Sequence, residues 1–306
     1  MCVVVAKYFQ DKGWILAKNR DQNYVATLRF LEKSDPEVGE IFVMDDLKIK
    51  YKEGMNYHGL TIITTSLTPV IKIEDNSSDG ANIYKALHLT DPMEAAKFLV
   101  SKEMTGYIFC ATPDTLVLVE AARKDKDGEQ GVGKYEYTIR TVPHDEFVVR
   151  TNHGVDLPWA GFQPGYDKTQ DMWYESSITR MEIAERLTRD AKNPVEMLDG
   201  LAARDHEDLQ LNVFRIEEKP GQMRTIFQWA FVPGEAMVYL RPIETKMDVN
   251  VAREMIQVKV VDNSNIKKAY NGEIRHFTKL KASAETDEVK SVTEGTLMPF
   301  KKFISM

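Results

Sequence analysis

Strand signals in this chain come in runs, and helix signals come in pairs between them. That order excludes the regular strand–helix–strand alternation that builds a parallel sheet. It predicts antiparallel sheets covered by helices, an α+β layered architecture. Val3 to Phe9 and Trp14 to Asn19 read as strands around the turn Gln10-Asp11-Lys12-Gly13. Phe42 to Met44, Leu47 to Tyr51 and Leu60 to Thr65 continue the β pattern. Asp79 to His88 reads as a helix, and Asp91-Pro92 supplies the cap and first-turn proline of another that runs to Met104. Strands are then expected over Tyr107–Ala111, Thr115–Ala121, Tyr135–Thr141 and Glu146–Thr151. His153 to Asp171 is rich in Gly and Pro and reads as a long loop. Apolar spacing at Ile178, Met181, Ile183 and Leu187 predicts a helix over Ser176–Arg189, with a second over Pro194–Ala203. Arg224 to Phe231 and Ala236 to Ile243 form a late hairpin across Val232-Pro233-Gly234-Glu235. Val258 to Val260 adds a strand, and Ala282 to Glu294 is a polar stretch. No linker divides the chain, so residues 1–306 are expected to form a single domain.

The totals narrow the function classes. The net charge of −7 argues against a general nucleic-acid binder. No apolar stretch approaches the roughly 18 residues of a membrane span. MCVVVAKYF lacks the charged and apolar regions of a signal peptide. Two cysteines, Cys2 and Cys110, exclude a disulfide scaffold and fit a reducing compartment. The expectation is a cytoplasmic protein with no nucleic-acid or membrane partner; a homo-oligomer stays open. The histidines are scattered, and Arg204 to Asp208 reads as a solvated helix end, so no metal site is expected. Phosphate-cradling glycine loops and the Gly-x-Ser-x-Gly elbow are absent, which removes support for nucleotide binding or a serine hydrolase.

Chemistry concentrates at the front. Removal of Met1 would make Cys2 both a thiol and an α-amine, a nucleophile and a base on one residue. An unperturbed α-amine titrates at about 7.7–8.0, close enough to neutrality to accept a proton. A two-residue turn at Asp11-Lys12 sets Gln10 against Gly13 and Cys2 against Asp21, whose carboxylate could hold the Cys2 amine. Lys18 lies three positions from Asp21, on the other face of a regular strand, so an irregularity near Asn19-Arg20 is expected to bring it to the thiol.

These residues resemble the N-terminal-nucleophile (Ntn) hydrolases of the choloylglycine hydrolase and penicillin V acylase type, with the related acyltransferases. The pattern is an N-terminal Cys, a hairpin, then a basic residue, Asn, any residue and Asp: here Cys2 and Lys18-Asn19-Arg20-Asp21. Gly54-Met55-Asn56-Tyr57-His58-Gly59-Leu60, Val149-Arg150-Thr151-Asn152-His153 and Ser176-Ser177-Ile178-Thr179-Arg180 match further segments in order, as does the hairpin Thr225 to Leu240. The resemblance implies a four-layer αββα sandwich of two antiparallel sheets between helices. It implies an amidohydrolase that needs no cofactor and acts on a small linear non-peptide amide or N-acyl bond through a Cys2 thioester. It casts Asp21 as the residue orienting the amine, Asn152 as an oxyanion donor and Arg180 as the supporting arginine. Lys18 stands where bile-salt hydrolases carry Arg, and Ser66 stands near a second family oxyanion Asn. Two alternatives accompany this reading: an Ntn cysteine dipeptidase or secernin-like protein, and a non-catalytic protein that kept the fold. Trp159, Phe162, Tyr166, Trp173 and Tyr174 suggest a loop folded over the core, or a lid over an apolar acyl group.

Overall fold

The computed structural model describes residues 1–24, 28–35, 39–67, 77–124, 133–161, 172–216, 221–246, 249–252 and 256–259. Six strands come first: β1 (Cys2–Phe9), β2 (Gly13–Gln22), β3 (Leu28–Asp35), β4 (Gly39–Asp46), β5 (Tyr51–Asn56) and β6 (Thr61–Thr65). Helices α1 (Ser77–Ala86) and α2 (Pro92–Ser101) follow, then β7 (Gly106–Ala111), β8 (Leu116–Arg123), β9 (Tyr135–Val142) and β10 (Val148–Arg150). Helices α3 (Met172–Thr188) and α4 (Pro194–Leu201) precede β11 (Arg224–Val232), β12 (Met237–Lys246), β13 (Val249–Ala252) and β14 (Ile256–Lys259).

The strands form two antiparallel sheets. One runs β10-β1-β2-β11-β12-β13, with β14 also on β12, and the other runs β3 through β9 in chain order. Side-chain alternation sorts each strand's residues to two faces. Val4, Ala6, Trp14, Leu16, Phe227 and Trp229 of the first sheet meet Phe42, Met55, Ile63, Phe109 and Leu118 of the second in one core. On the outer face of the second sheet, Ile62, Ile108 and Val117 pack with Ile83, Ala95 and Leu99 of α1 and α2. On the outer face of the first, Val3, Val5 and Ala17 pack with Ile183, Ala184 and Leu198 of α3 and α4. The result is the expected four-layer αββα sandwich.

The elements start where their sequence directs. Asp91 accepts the Glu94 N–H at 2.8 Å ahead of Pro92, and Asn193 accepts the Glu196 N–H at 2.9 Å ahead of Pro194. Three expectations are corrected. The first hairpin closes with three loop residues, because Phe9 pairs with Gly13 and the Lys12 N–H bonds the Phe9 carbonyl at 3.2 Å. Gly13 takes φ +73°, and a Cβ there would meet the Pro113 carbonyl oxygen at 2.2 Å. The register therefore slips by one residue: Cys2 lies opposite Arg20, not Asp21. Second, Leu47–Lys50 forms a turn between β4 and β5 rather than part of a strand; Lys50 has φ +57°, a left-handed conformation that a strand does not use. Third, β3 and β13 were not anticipated. Phe162, Tyr166 and the polar stretch from 282 lie outside the described residues, while Trp159 packs with Ala122, Leu157 and Ala160.

Candidate active site

The slipped register redistributes the front residues. Cys2, Val4 and Ala6 alternate onto the inter-sheet face, and so do their partners Arg20, Lys18 and Leu16. Lys18 therefore shares a face with Cys2 on a regular strand, and the expected irregularity near Asn19-Arg20 is absent; the shift in this region falls on β11 between Thr225 and Phe227. Lys18 Nζ donates to Glu53 Oε1 and to the Thr64 carbonyl, each at 2.5 Å, and lies 5.1 Å from the centre of the Trp229 ring. Arg20 pairs with Asp46 at 2.5 Å. Asn19 turns to the helix side and ties β2 to the Leu201 and Val213 carbonyls at 2.7 and 2.9 Å.

Asp21 also lies on the helix side, fully buried. Its Oδ1 accepts the Thr225 hydroxyl at 2.8 Å. Its Oδ2 stands between two buried guanidinium groups, 3.6 Å from Arg180 NH1 and 4.0 Å from Arg215 NH1. Met1 extends the β1–β2 ladder by one pair: its ammonium donates to the Asp21 carbonyl, and the Asp21 N–H donates to the Met1 carbonyl, both at 2.9 Å. The carbonyl of Asp21 thus holds the Met1 amine. Burial lowers the Met1 ammonium pKa from 8.0 to about 6, while negative charge at Cys2 and Asp21 works to raise it.

Arg180 gathers the site. On α3, its Nε donates to the Ser176 carbonyl at 3.1 Å, NH1 to the Cys2 carbonyl at 3.4 Å and NH2 to Asn152 Oδ1 at 2.9 Å. Burial, then the neighbouring Arg215, lowers its pKa to about 9. The β1–β10 register sets Val4 against Arg150, so Asn152, two residues past Arg150, lies level with Cys2. The Asn152 amide nitrogen donates to the Ser66 carbonyl at 2.6 Å and to the Thr65 hydroxyl at 3.2 Å. The backbone N–H of Asn152 donates to Ser177 Oγ at 2.7 Å. Cys2, Asp21, Asn152, Arg180 and Ser66 are thus brought into one connected cluster. Lys18 is directed instead to Glu53.

Sequence reasoning missed Arg215. Its backbone N–H bonds Thr225 Oγ1 at 2.9 Å, its Nε bonds the Gln210 carbonyl at 2.9 Å, and NH2 donates to Ser176 Oγ. Nothing in the local sequence Val213-Phe214-Arg215-Ile216 marks it, and Glu217 and Glu218 just after it make a solvated charge pair the simpler reading. His153 stands beside this cluster. It is buried, with Nδ1 at 3.0 Å from Ser177 Oγ, and Tyr174 packs edge-on to its ring. Asn56 proves structural: it donates to the Leu87 and Leu89 carbonyls at 3.0 and 2.7 Å and accepts the Leu60 N–H at 2.9 Å.

Layers and topology define the class: a four-layer αββα sandwich of two antiparallel sheets between helices, with a cysteine at the head of its first strand. No family model matches the sequence, and no curated protein matches it. Among solved structures the chain is similar to two variants of the conjugated bile acid hydrolase from Clostridium perfringens. One has 12% identity and TM-score 0.49, covering 85% of this chain and 97% of that one; the other has 11% and 0.47, covering 85% and 98%. It is also similar to penicillin V acylase from Agrobacterium tumefaciens, at 12% identity and TM-score 0.43 over 86% of each chain. The fold assignment rests on the layers and strand order of this chain itself.

Proposed function

We propose that this protein is a cysteine amidohydrolase that cleaves a linear non-peptide amide or N-acyl bond through a thioester on Cys2. One observation supports this above the others. The Arg180 side chain joins Cys2 and Asp21, on the paired strands of the first hairpin, to Asn152 just past β10. A buried guanidinium so placed favours negative charge at the head of β1.

In this reading Met1 is removed first. Met1 exchanges its ladder bonds with Asp21, so the N–H of Cys2 points to the opposite side of β1, where β10 and Asn152 lie. The freed amine would take the thiol proton. The sulfur would then form a bond to the substrate carbonyl carbon, and the carbonyl electron pair would move to oxygen. One proton of the Asn152 amide, now given to Ser66 O or Thr65 Oγ1, would turn to that oxyanion; such a donor is typically worth about 2.7–4 kcal/mol. Collapse would break the carbon–nitrogen bond, the leaving amine would take the proton from the Cys2 amine, and water would hydrolyse the thioester. The cytoplasmic location and the small-molecule substrate belong to the same proposal.

The test is a panel of N-acyl amides and dipeptides on purified protein, with intact mass recorded. Turnover of N-acyl amides, lost in Cys2→Ala and in protein that retains Met1, is expected. Full activity with Met1 retained would overturn the free-amine step, and a preference for dipeptides would overturn the substrate class.

A further inference from the structure

Glu120 is a buried carboxylate that the reaction above does not use. It closes the inter-sheet face of β8 and makes no ion pair with a described residue. Its oxygens accept three consecutive backbone N–H groups instead: Val155 at 3.0 Å and Leu157 at 2.9 Å on Oε1, and Asp156 at 2.8 Å on Oε2. A carboxylate out of water is costly unless it is bonded, and these donors offset that cost.

The sheet register makes Glu120 one of a row. Thr65 on β6 pairs with Tyr107 on β7, and Tyr107 pairs with Glu120 on β8. Each holds the next part of a single segment. The Thr65 hydroxyl donates to the Thr151 carbonyl at 3.2 Å. The Tyr107 hydroxyl donates to the His153 carbonyl at 2.6 Å and accepts the Val155 N–H at 3.0 Å. Glu120 then takes residues 155–157. Burial, followed by the Glu120 charge, pushes the Tyr107 phenol well above its ordinary range, so it stays a protonated donor. The segment also fits tightly: a Cβ on Gly154 would meet the Leu157 carbonyl oxygen at 2.1 Å, and one on Gly161 would meet His153 Cα at 2.4 Å. Asn152 sits inside the gripped stretch, between two residues whose carbonyls are both held.

We propose that the row Thr65–Tyr107–Glu120 sets the position of Asn152, with Tyr107 and Glu120 as positioning residues for the oxyanion donor. This rests on the role given to Asn152 above. The row acts by fixing the backbone on both sides of Asn152, so its amide reaches the reacting carbonyl without a search. A displacement of about 1 Å at such a group can cost on the order of 10²-fold in rate.

Glu120→Gln presents an NH2 group to backbone donors, and Tyr107→Phe removes the hydroxyl while keeping the ring. Both are assayed for amide turnover, for Cys2 alkylation by iodoacetamide, and for hydrogen exchange at residues 152–157. The expected result is a kcat at least about tenfold lower with KM within about twofold and Cys2 alkylation unchanged. Either variant should cause no further loss in an Asn152→Ala background. Glu120→Gln should also lose exchange protection at one or more of residues 155–157, because one of the two acceptor oxygens becomes a donor, while β1 keeps its own. An equal loss in the Asn152→Ala background, or unchanged protection at 155–157, overturns the proposal. If the wild type turns over no amide, the proposed reaction fails, and hydrogen exchange still decides whether the row holds this segment. Should Glu120→Gln not fold, Tyr107→Phe carries the same kinetic and double-variant expectations, and these decide the proposal.

Discussion

At the scale of the residue, Arg180 and Arg215 set the character of the site. Two buried guanidinium groups flank one carboxylate oxygen of Asp21, so positive charge exceeds negative there before the amine is counted. The Met1 ammonium meets that excess inside the protein, where burial already disfavours it. Its folded pKa of about 6 lies below the unfolded 8.0. Below pH 6 both states are protonated and the full penalty applies. Between 6 and 8 the unfolded state binds more protons, so stability rises with pH, by about 3 kcal/mol across the two units. Protein that retains Met1 should therefore gain roughly that much in urea unfolding between pH 5.5 and 8.5. A flat profile would show that the amine is not buried. Of these residues, Cys2, Asp21, Asn152 and Arg180 were legible in the sequence because each sits in a short motif. Arg215 was not, because its partners Ser176 and Thr225 come from α3 and β11 and only Gln210 is near it in sequence.

At the scale of the element, the first hairpin carries the lesson. Turn chemistry at Gln10–Gly13 was legible, but the loop length was not. A two-residue and a three-residue loop share the same sequence signal, and one residue of difference moves every side chain of β2 to the other face. What selects the longer loop is the left-handed Gly13, packed against Pro113 of the β7–β8 connection, whose carbonyl also accepts the Trp14 N–H at 2.9 Å. Gly13→Ala meets both a strained φ and a backbone clash, so it should cost on the order of 1–3 kcal/mol. Denaturant unfolding reads this directly. Thiol labelling of Cys2 in the same variant reports whether the register has slipped.

At the scale of the whole molecule, the two sheets are joined by charge as well as by their apolar core. Lys18 of the first sheet and Glu53 of the second form an ion pair with both side chains at or below 1% exposure, and Glu53 Oε1 also accepts the Thr64 N–H at 2.8 Å. Glu53→Gln leaves a cation buried without its carboxylate and should destabilise by about 3–5 kcal/mol. Glu235→Gln breaks a pair with Lys12 at 27% and 36% exposure and should cost below about 1 kcal/mol. Similar unfolding midpoints for the two variants would refute this account of Lys18. Taken alone, the sequence determined most of the strands and helices, that the sheets are antiparallel, and which short motifs carry candidate reactive groups, because periodicity, caps and turn residues act over a few neighbours. Only the tertiary structure decided which face each charge occupies. Register depends on a contact with a distant loop, and a buried cation's partner is whichever acid the opposing sheet presents.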